Sequence, residues 1–266
     1  MRFADAAQIA RLWLRTPMRL LALTPHPDDE ILGAGAAHIA LARAGHEVRV
    51  YPVTLGRHED HERRHDELVR CCRVAGLDLI DNAPLDMSAG EHDDLHAAAA
   101  RLTRDLAGHL EGVDVVSGPS ARDVHPAHEA IAGAVTLAIE TSGVERRQWL
   151  WSIWGALPRP TLWFPFAEGL LDHQLAALAE HRSQVARNDF QRLVRGRAEA
   201  ASVLGPELLF GFGIEAPAEP YAELLCEVAY HHGAWYAGRE RRLDPQDPLV
   251  GDEAFYAHVP AASWVR

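Results

Sequence analysis

The feature that most constrains the fold is a regular alternation of short apolar runs and helix-length segments over the first half of the chain. This order is typical of βαβ units, which form a mainly parallel sheet with helices on both faces. We therefore predict a Rossmann-like α/β fold with right-handed crossovers. Gly45, Gly76 and Gly112 follow the helices, where a left-handed residue is expected. The predicted strands are 20–24, 48–54, 79–85 and 113–118, and the predicted helices are 31–45, 60–77 and 94–110.

The second half of the chain is richer in aromatic residues and lacks this regular alternation. It contains no clear linker or internal repeat, so we expect a single domain over 1–266. Within it, 1–150 forms the Rossmann-like core that carries the site, and 151–266 completes the sheet and adds a cap. The remainder after residue 204 is expected to be irregular. The other predicted elements are strands within 148–157 and 161–166 and helices at 172–184 and 190–204.

The composition restricts the classes of partner. Asp and Glu total 38 against 26 Lys and Arg, which gives a formal net charge of −12. Such a surface repels phosphate backbones and anionic lipid, so neither nucleic acid nor membrane is an expected partner. Residues 1–15 lack the apolar core of a signal peptide. Cys71, Cys72 and Cys226 form neither a disulfide framework nor a CxxC motif, which favours a reducing cytoplasm.

The first predicted strand runs into a dense group of potential ligands and bases, Pro25-His26-Pro27-Asp28-Asp29-Glu30. In open α/β sheets, ligands bind beyond the carboxyl ends of strands. His26 and Asp29 are three residues apart, so a turn brings both to one side. Asp28 then projects in another direction and is free to act as a base. Glu30 fits either a supporting role near the site or ordinary helix capping.

A second polar group, from Asp123 to Glu129, follows the fourth predicted strand and opens another helix. His125 and His128 are again three residues apart. If the strand order is 3-2-1-4, the loops after strands 1 and 4 are neighbours where the order reverses, and the two groups meet there. Two imidazoles and one carboxylate are a recurrent ligand set for catalytic zinc, and the same set also suits iron.

Several other features have plainer interpretations. The histidines of 58–65 have metal-like spacing, but we favour a solvated helix start. Arg64 is a candidate for contact with substrate or for a salt bridge to a neighbouring carboxylate. The tryptophans of 149–154 are expected to pack against the sheet. The aromatic residues and histidines of 230–236 are a candidate sugar-binding rim, with plain packing as an equal alternative.

The two polar groups resemble the motifs of the LmbE/PIG-L deacetylases, which are zinc hydrolases that remove acetyl groups from N-acetylglucosaminyl compounds. The resemblance extends over residues 18–200, and its first motif is highly specific. Further family motifs occur in the expected order; they are Val53-Thr54-Leu55-Gly56, the helix from Arg64 and Glu67 to Gly76, and a late helix ending in His181-Arg182-Ser183-Gln184.

The resemblance implies roles for individual residues and a reaction. The reaction is hydrolysis of an N-acetyl group on an amino sugar, which yields acetate and a free amine. In it, the base takes a proton from the attacking water and returns it to the departing amine. The implied residues are the Zn²⁺ ligands His26, Asp29 and His128, the general base Asp28, and His125 as the group that stabilises the oxyanion.

One position departs from the family pattern. Many relatives carry Asp where this chain has Ala127, and a carboxylate there raises the basicity of a neighbouring imidazole. Its absence bears on the protonation of His125 and removes none of the implied ligands. Asp123 is our candidate to orient an imidazole instead, and with Arg64 it is also a candidate for contact with substrate.

The leading hypothesis is therefore a cytoplasmic N-deacetylase with a small-molecule amino sugar substrate, and the oligomeric state is left open. The acidic surface favours cationic, aminoglycoside-like substrates. Among substrate groups, we favour antibiotic intermediates and thiol precursors without choosing between them. Two alternatives stay open. One is a zinc amidase that cleaves a non-acetyl amide of a natural product, and the other is a sugar-binding protein without turnover.

Overall fold

A single sheet forms the centre of the molecule. The computed structural model describes residues 17–82, 84, 92–157, 159–215, 218–249 and 260–265. Within these ranges, no helix combines the length and the apolar character needed to cross a membrane. The strands of the sheet are β1 (Arg19–Thr24), β2 (Glu47–Pro52), β3 (Asp78–Leu79), β4 (Val115–Pro119), β5 (Arg146–Trp151), β6 (Leu162–Phe166), β7 (Tyr221–His231), β8 (Ala234–Ala237) and β9 (Arg241–Arg242).

The first five strands are parallel and lie in the order β3-β2-β1-β4-β5. The predicted fold class and the order 3-2-1-4 are thus confirmed. Successive residues of β1 alternate between two apolar clusters, with Leu20 and Ala22 in one and Leu21 and Leu23 in the other. Both faces of the sheet are therefore buried, as is usual for parallel strands.

Helices cover both faces. They are α1 (Asp29–Leu32), α2 (Gly35–Arg43), α3 (His61–Ala75), α4 (His92–Ala107), α5 (Pro126–Ser142), α6 (Glu168–Leu178), α7 (Arg182–Arg187) and α8 (Phe190–Phe210). Residues of α2, α3 and α6 pack in the cluster that contains Leu20, and residues of α4 and α5 pack in the cluster that contains Leu21. Gly45, Gly76 and Gly112 have positive φ angles, as predicted.

The chain after residue 204 contains strands, so the expectation of an irregular remainder is wrong. β7 lies antiparallel between β5 and β6, β8 pairs with β7, and β9 pairs with β6. Glu223 and Glu227 interrupt the apolar pattern of β7 and hide it in the sequence. Glu227 is fully buried and accepts hydrogen bonds from Trp149 Nε1 (3.0 Å) and from the Arg241 guanidinium (3.2 Å). Internal partners thus allow a charged residue to occupy a central strand.

Some element boundaries also differ from prediction. β3 is confined to Asp78–Leu79, and positions 83 and 85 of the predicted strand lie outside the described residues. The predicted helix 172–184 divides into α6 and α7, because the chain leaves the helix near His181 and turns that side chain inward. The predicted helix 190–204 continues to Phe210.

Candidate metal centre

The two polar groups meet where the strand order reverses. β1 leads into the turn that carries His26, Asp28 and Asp29, and β4 leads into the loop and helix that carry His125 and His128. Because β1 and β4 are adjacent and parallel, their carboxyl ends lie side by side. One ligand atom each of His26, Asp29 and His128 lie within 4.8 Å of one another.

Asp29 is the centre of this group. Its Oδ2 accepts a hydrogen bond of 2.8 Å from the backbone N–H of His26, and the same atom lies 3.1 Å from His26 Nδ1 and 3.2 Å from His128 Nε2. Burial alone raises the pKa of this carboxyl, but the two imidazoles outweigh burial and hold the pKa well below its usual value. Asp29 is therefore an ionised carboxylate that faces both rings.

Asp123 fixes the other side of the His128 ring. Its Oδ2 lies 2.6 Å from His128 Nδ1. Its Oδ1 accepts hydrogen bonds from the loop after β5, namely from Ser152 Oγ (2.5 Å) and from the backbone N–H groups of Ile153 (2.7 Å), Trp154 (2.7 Å) and Gly155 (3.0 Å). Asp123 is fully buried. This arrangement places the ring proton on Nδ1 and directs Nε2 toward Asp29.

The donor set fits a cation. Tetrahedral zinc with bonds of about 2.0–2.2 Å holds neighbouring ligand atoms about 3.3–3.5 Å apart, and the two contacts of Asp29 Oδ2 measure 3.1 and 3.2 Å. His128 Nε2 is buried and has no hydrogen-bond partner, and it faces the ligand group 3.2 Å from Asp29 Oδ2. Although burial lowers the pKa of His128, Asp29 and Asp123 raise it to about 10. The surroundings therefore favour positive charge at this ring.

Asp28 lies beside the ligand group and is not part of it. It caps the N-terminus of α1 with φ of 126°, a conformation that costs a non-glycine residue about 1–3 kcal/mol. Its side chain is 6% exposed, and its Oδ1 lies 3.7 Å from Arg64 Nη2, which also donates to the carbonyl of Pro27 (2.6 Å). Burial and the neighbouring Asp29 raise the pKa of Asp28 well above its usual value.

A buried pair, Glu30 and His181, supports the Asp28 turn. Glu30 Oε2 accepts hydrogen bonds from the backbone N–H of Asp28 (3.0 Å) and from Thr24 Oγ1 (3.1 Å), while Oε1 lies 2.6 Å from His181 Nε2. A ligand atom of Cys71 is also close to this pair. Sequence reasoning left Glu30 between two roles and did not connect it to His181. The late His-Arg-Ser-Gln motif, which contains His181, is the one sequence signal that could have pointed to this pair.

His125 lies beside the two other imidazoles. Its ring centre is 5.0 Å from that of His26 and 4.7 Å from that of His128, and its buried Nδ1 has no hydrogen-bond partner. Burial and these two rings lower the pKa of His125 to about 4. Ala127 packs in the apolar core, and Asp123 contacts His128 rather than His125. Without a carboxylate of its own, His125 is neutral at pH 7.

The histidines of 58–65 and the aromatic segment 230–236, the other predicted site residues, lie apart from this group. Of the groupings of described residues that could share an ion, none includes the histidines of 58–65. His61 instead bonds the carbonyl of Gly56 (3.0 Å). Within 230–236, Tyr230 pairs with Arg146 at the amino end of β5. The proposed metal ligands lie at the opposite, carboxyl ends of the parallel strands. Packing therefore explains this segment, and its interpretation as a sugar-binding rim is wrong.

A cleft of about 390 Å³ opens above the ligand group. Trp154 and Phe190 form an apolar wall with ring centres 6.1 Å apart. Trp154 was expected to pack against the sheet, but its side chain is 45% exposed, whereas Trp149 and Trp151 are buried as predicted. The polar residues around the mouth of the cleft are Arg57, Asp60, Arg63, Arg64, Ser183, Gln184 and Arg187.

Fold and site together define a class of protein: a Rossmann-like α/β chain with two histidines and one aspartate gathered at the carboxyl ends of β1 and β4. Residues 21–139 match the sequence model of the PIG-L family, described as GlcNAc-PI de-N-acetylase. Residues 21–139 therefore carry a PIG-L family domain, which confirms the expected resemblance to the LmbE/PIG-L family. No curated protein matches it significantly in sequence.

Solved structures share the fold at low sequence identity. The A40926 pseudoaglycone deacetylase is 20% identical with a TM-score of 0.61, over 85% of this chain and 99% of that one. The N,N'-diacetylchitobiose deacetylase of Pyrococcus horikoshii is 16% identical with a TM-score of 0.55, over 85% and 94%. The 4-carboxy-2-hydroxymuconate hydratase of Pseudomonas putida is 16% identical with a TM-score of 0.58, over 79% and 96%. One fold thus carries different reactions, and the site has to decide between them.

Proposed function

We propose that this protein is a metal-dependent N-deacetylase that hydrolyses the acetyl group of an N-acetylglucosaminyl-type conjugate. The observation that carries the proposal is the group of half-buried His26 with buried Asp29 and His128, and the separate carboxylate of Asp28 beside it. The PIG-L family match adds the reaction class. The deacetylase relatives, which act on an antibiotic pseudoaglycone and on diacetylchitobiose, support an amino sugar substrate.

His26, Asp29 and His128 are the proposed ligands, and Zn²⁺ is the proposed metal. When bound, zinc supplies Lewis-acid polarisation of the acetyl carbonyl and a lowered pKa for water. Asp123 is a positioning residue in this scheme, because its contact with Nδ1 keeps His128 Nε2 directed at the ligand group. The proposal places the protein in the cytoplasm, which its three buried free thiols support.

Asp28 is the proposed general base. Its carboxylate is buried, and the hydrogen bond from its own N–H to Glu30 fixes its backbone. In this role, the carboxylate of Asp28 receives the proton of the attacking water and later returns it to the amide nitrogen, which leaves only as a protonated amine. Glu30 and His181 act through the position of Asp28 and do not touch the substrate.

His125 is the proposed stabiliser of the oxyanion. Its ring borders the ligand group, and its buried Nδ1 has no partner in the protein. A neutral imidazole can donate one N–H bond, so His125 need not be protonated to hold the developing negative charge. Donors of this kind contribute about 10²–10³ in rate.

The test is amine release from a panel of N-acetylglucosaminides and other amides by the purified protein, before and after chelation and after addition of zinc. The chain contains no lysine, so amine-reactive dyes give little background from the protein itself. We expect acetate and amine in equal amounts, loss of activity on chelation and recovery with zinc. Release of an acid other than acetate would replace the proposal with the amidase alternative, and chelator-insensitive turnover would overturn the metal.

A further inference from the structure

The mouth of the cleft is basic although the whole molecule is acidic. Four arginines line it, and we call them the arginine rim: Arg57, Arg63, Arg64 and Arg187. Beyond the carboxylates of Asp28 and Asp29, the lining contains a single acid, Asp60. The chain as a whole has a formal charge of −12. The formal charge of the residues at the mouth is therefore opposite in sign to that of the whole chain.

Two members of the arginine rim already have partners. Arg63 Nη2 lies 2.5 Å from Asp60 Oδ1, so that ion pair neutralises the only acid at the mouth. Arg64 donates to the Pro27 carbonyl and lies 3.7 Å from Asp28, so it belongs to the support of the Asp28 turn. Neither guanidinium is the main candidate for holding a ligand.

Arg57 and Arg187 are different. Across the described ranges of the chain, neither forms an ion pair, and both are exposed. Arg187 lies over the ring of Phe190, 5.3 Å from its centre, which holds the guanidinium at the wall of the cleft. Arg57 precedes the turn that leads into α3, and Arg187 ends α7. Two guanidinium groups thus approach the same cleft from different elements without a carboxylate between them.

We propose that the leaving-group part of the substrate carries an anion, a carboxylate or a phosphate, that Arg57 and Arg187 bind. A guanidinium offers paired N–H donors that match these anions in geometry and charge. This inference rests on the proposed function, since it assumes that the acetyl group lies at the ligand group below. It also reverses the expectation of a cationic substrate, which followed from net charge alone. A substrate that enters the cleft meets the charges of its lining rather than the net charge of the whole chain.

The experiment uses N-acetylglucosamine derivatives that differ only in the anomeric substituent. They are the methyl glycoside, the 2-aminoethyl glycoside, the carboxymethyl glycoside and the 1-phosphate. Values of kcat/KM are measured with wild-type protein, and Kd is measured by calorimetry with the zinc-loaded D28N protein. We expect kcat/KM and affinity about tenfold higher for the two anionic compounds than for the methyl glycoside. The larger of the two anionic values identifies carboxylate or phosphate as the natural group.

Variants assign the effect to the proposed residues. Arg57→Gln and Arg187→Gln should each weaken the preference for anionic glycosides several-fold. The ratio of anionic to neutral kcat/KM values should fall, and the ratio of anionic to neutral Kd values should rise. Arg73→Gln is the matched control, because Arg73 is exposed on the last turn of α3 outside the cleft and its loss changes the net charge equally. Its ratio should equal that of the wild type.

The outcomes separate this inference from the proposed function. Equal or better turnover and binding of the neutral or cationic glycoside overturns the anion inference and leaves the deacetylase intact. A preference for anions that survives both substitutions also overturns it. Absence of acetate release from every compound counts against the proposed function, while the Kd ratios still decide whether the cleft prefers an anion.

Discussion

The floor and the mouth of the cleft are built in opposite ways. At the floor, Asp29, His128 and Asp123 are buried, and each polar contact is short and shared with a neighbour. At the mouth, Arg57 and Arg187 are exposed and have no acidic partner in the described ranges. Rigid, desolvated groups suit the chemical step, because small displacements there cost rate. Exposed groups suit the selection of substrate, since they can change without disturbing the fold.

The largest expected effect comes from Asp28→Asn. Asparagine tolerates positive φ, so the turn should keep its backbone while losing the base. We expect kcat to fall about 10²–10⁴-fold with zinc content unchanged. Asp66→Asn, an exposed carboxylate on α3, is the control with the same change in charge and should retain full activity. A D28N protein that hydrolyses as fast as the wild type removes Asp28 from the mechanism.

Asp123→Asn tests whether the floor depends on its supporting contacts. The carboxylate of Asp123 accepts hydrogen bonds from the loop after β5 through one oxygen and contacts His128 through the other. The amide of asparagine has a single oxygen and no charge, so it cannot replace both contacts. We expect zinc affinity to fall about 10–100-fold, measured by competition with a chromophoric chelator. The same Asp66→Asn control should bind zinc as the wild type does. Unchanged zinc affinity would mean that the floor of the cleft does not depend on Asp123. The proposed difference between floor and mouth would then be wrong.

Glu223→Gln tests what burial does to a carboxylate that lacks a histidine partner. Glu223 accepts the N–H groups of Ala36 (2.9 Å) and Ala37 (2.8 Å), yet burial raises its pKa to about 7. The folded protein therefore keeps this proton longer than the unfolded chain does. Its contribution to the free energy of unfolding is present below pH of about 4.5 and is lost as pH rises to about 7, by up to about 3 kcal/mol.

Urea titrations across that pH range check this prediction. The difference in unfolding free energy between wild type and E223Q should change with pH and level off above pH of about 7. A difference that stays constant with pH means that Glu223 titrates normally. Burial would then carry no penalty for this carboxylate, and the floor would need no special pairing.

The smallest expected effect concerns salt. Raising sodium chloride from about 0.02 to about 0.5 M shortens the Debye length to a few ångströms and screens exposed charges far more than buried ones. KM for an anionic glycoside should rise several-fold, while KM for the methyl glycoside and the bound zinc should stay constant. A uniform response of all substrates would show that floor and mouth do not differ in electrostatic character.

The sequence predicts the floor better than the mouth, for a physical reason. His26, Asp28 and Asp29 stand together in one turn, and His125 and His128 in another, so local density marks them. The strand alternation then predicts that the two turns meet, and the observed order agrees. These features depend on short segments and on general rules of sheet topology.

The remainder depends on contacts between distant segments. Arg57 and Arg187 are ordinary surface residues in the sequence, and only the fold brings both to the same cleft. The same holds for Glu30 and His181, and for the loop that holds Asp123. The sequence does not reveal β7, because its buried Glu227 and half-buried Glu223 resemble glutamates of an exposed segment until their partners are known.

The position of β7 has a consequence for how the protein is made. β5 and β6 leave the ribosome well before β7, yet β7 separates them in the sheet. A nascent chain can assemble β1 to β5 and bring the ligands together, but the outer edge of β5 stays unpaired until β7 emerges. The loop that holds Asp123 follows β5 directly, so its final placement awaits late synthesis. During that interval an open strand edge is exposed to other chains, which makes this stage of synthesis the one most in need of chaperones.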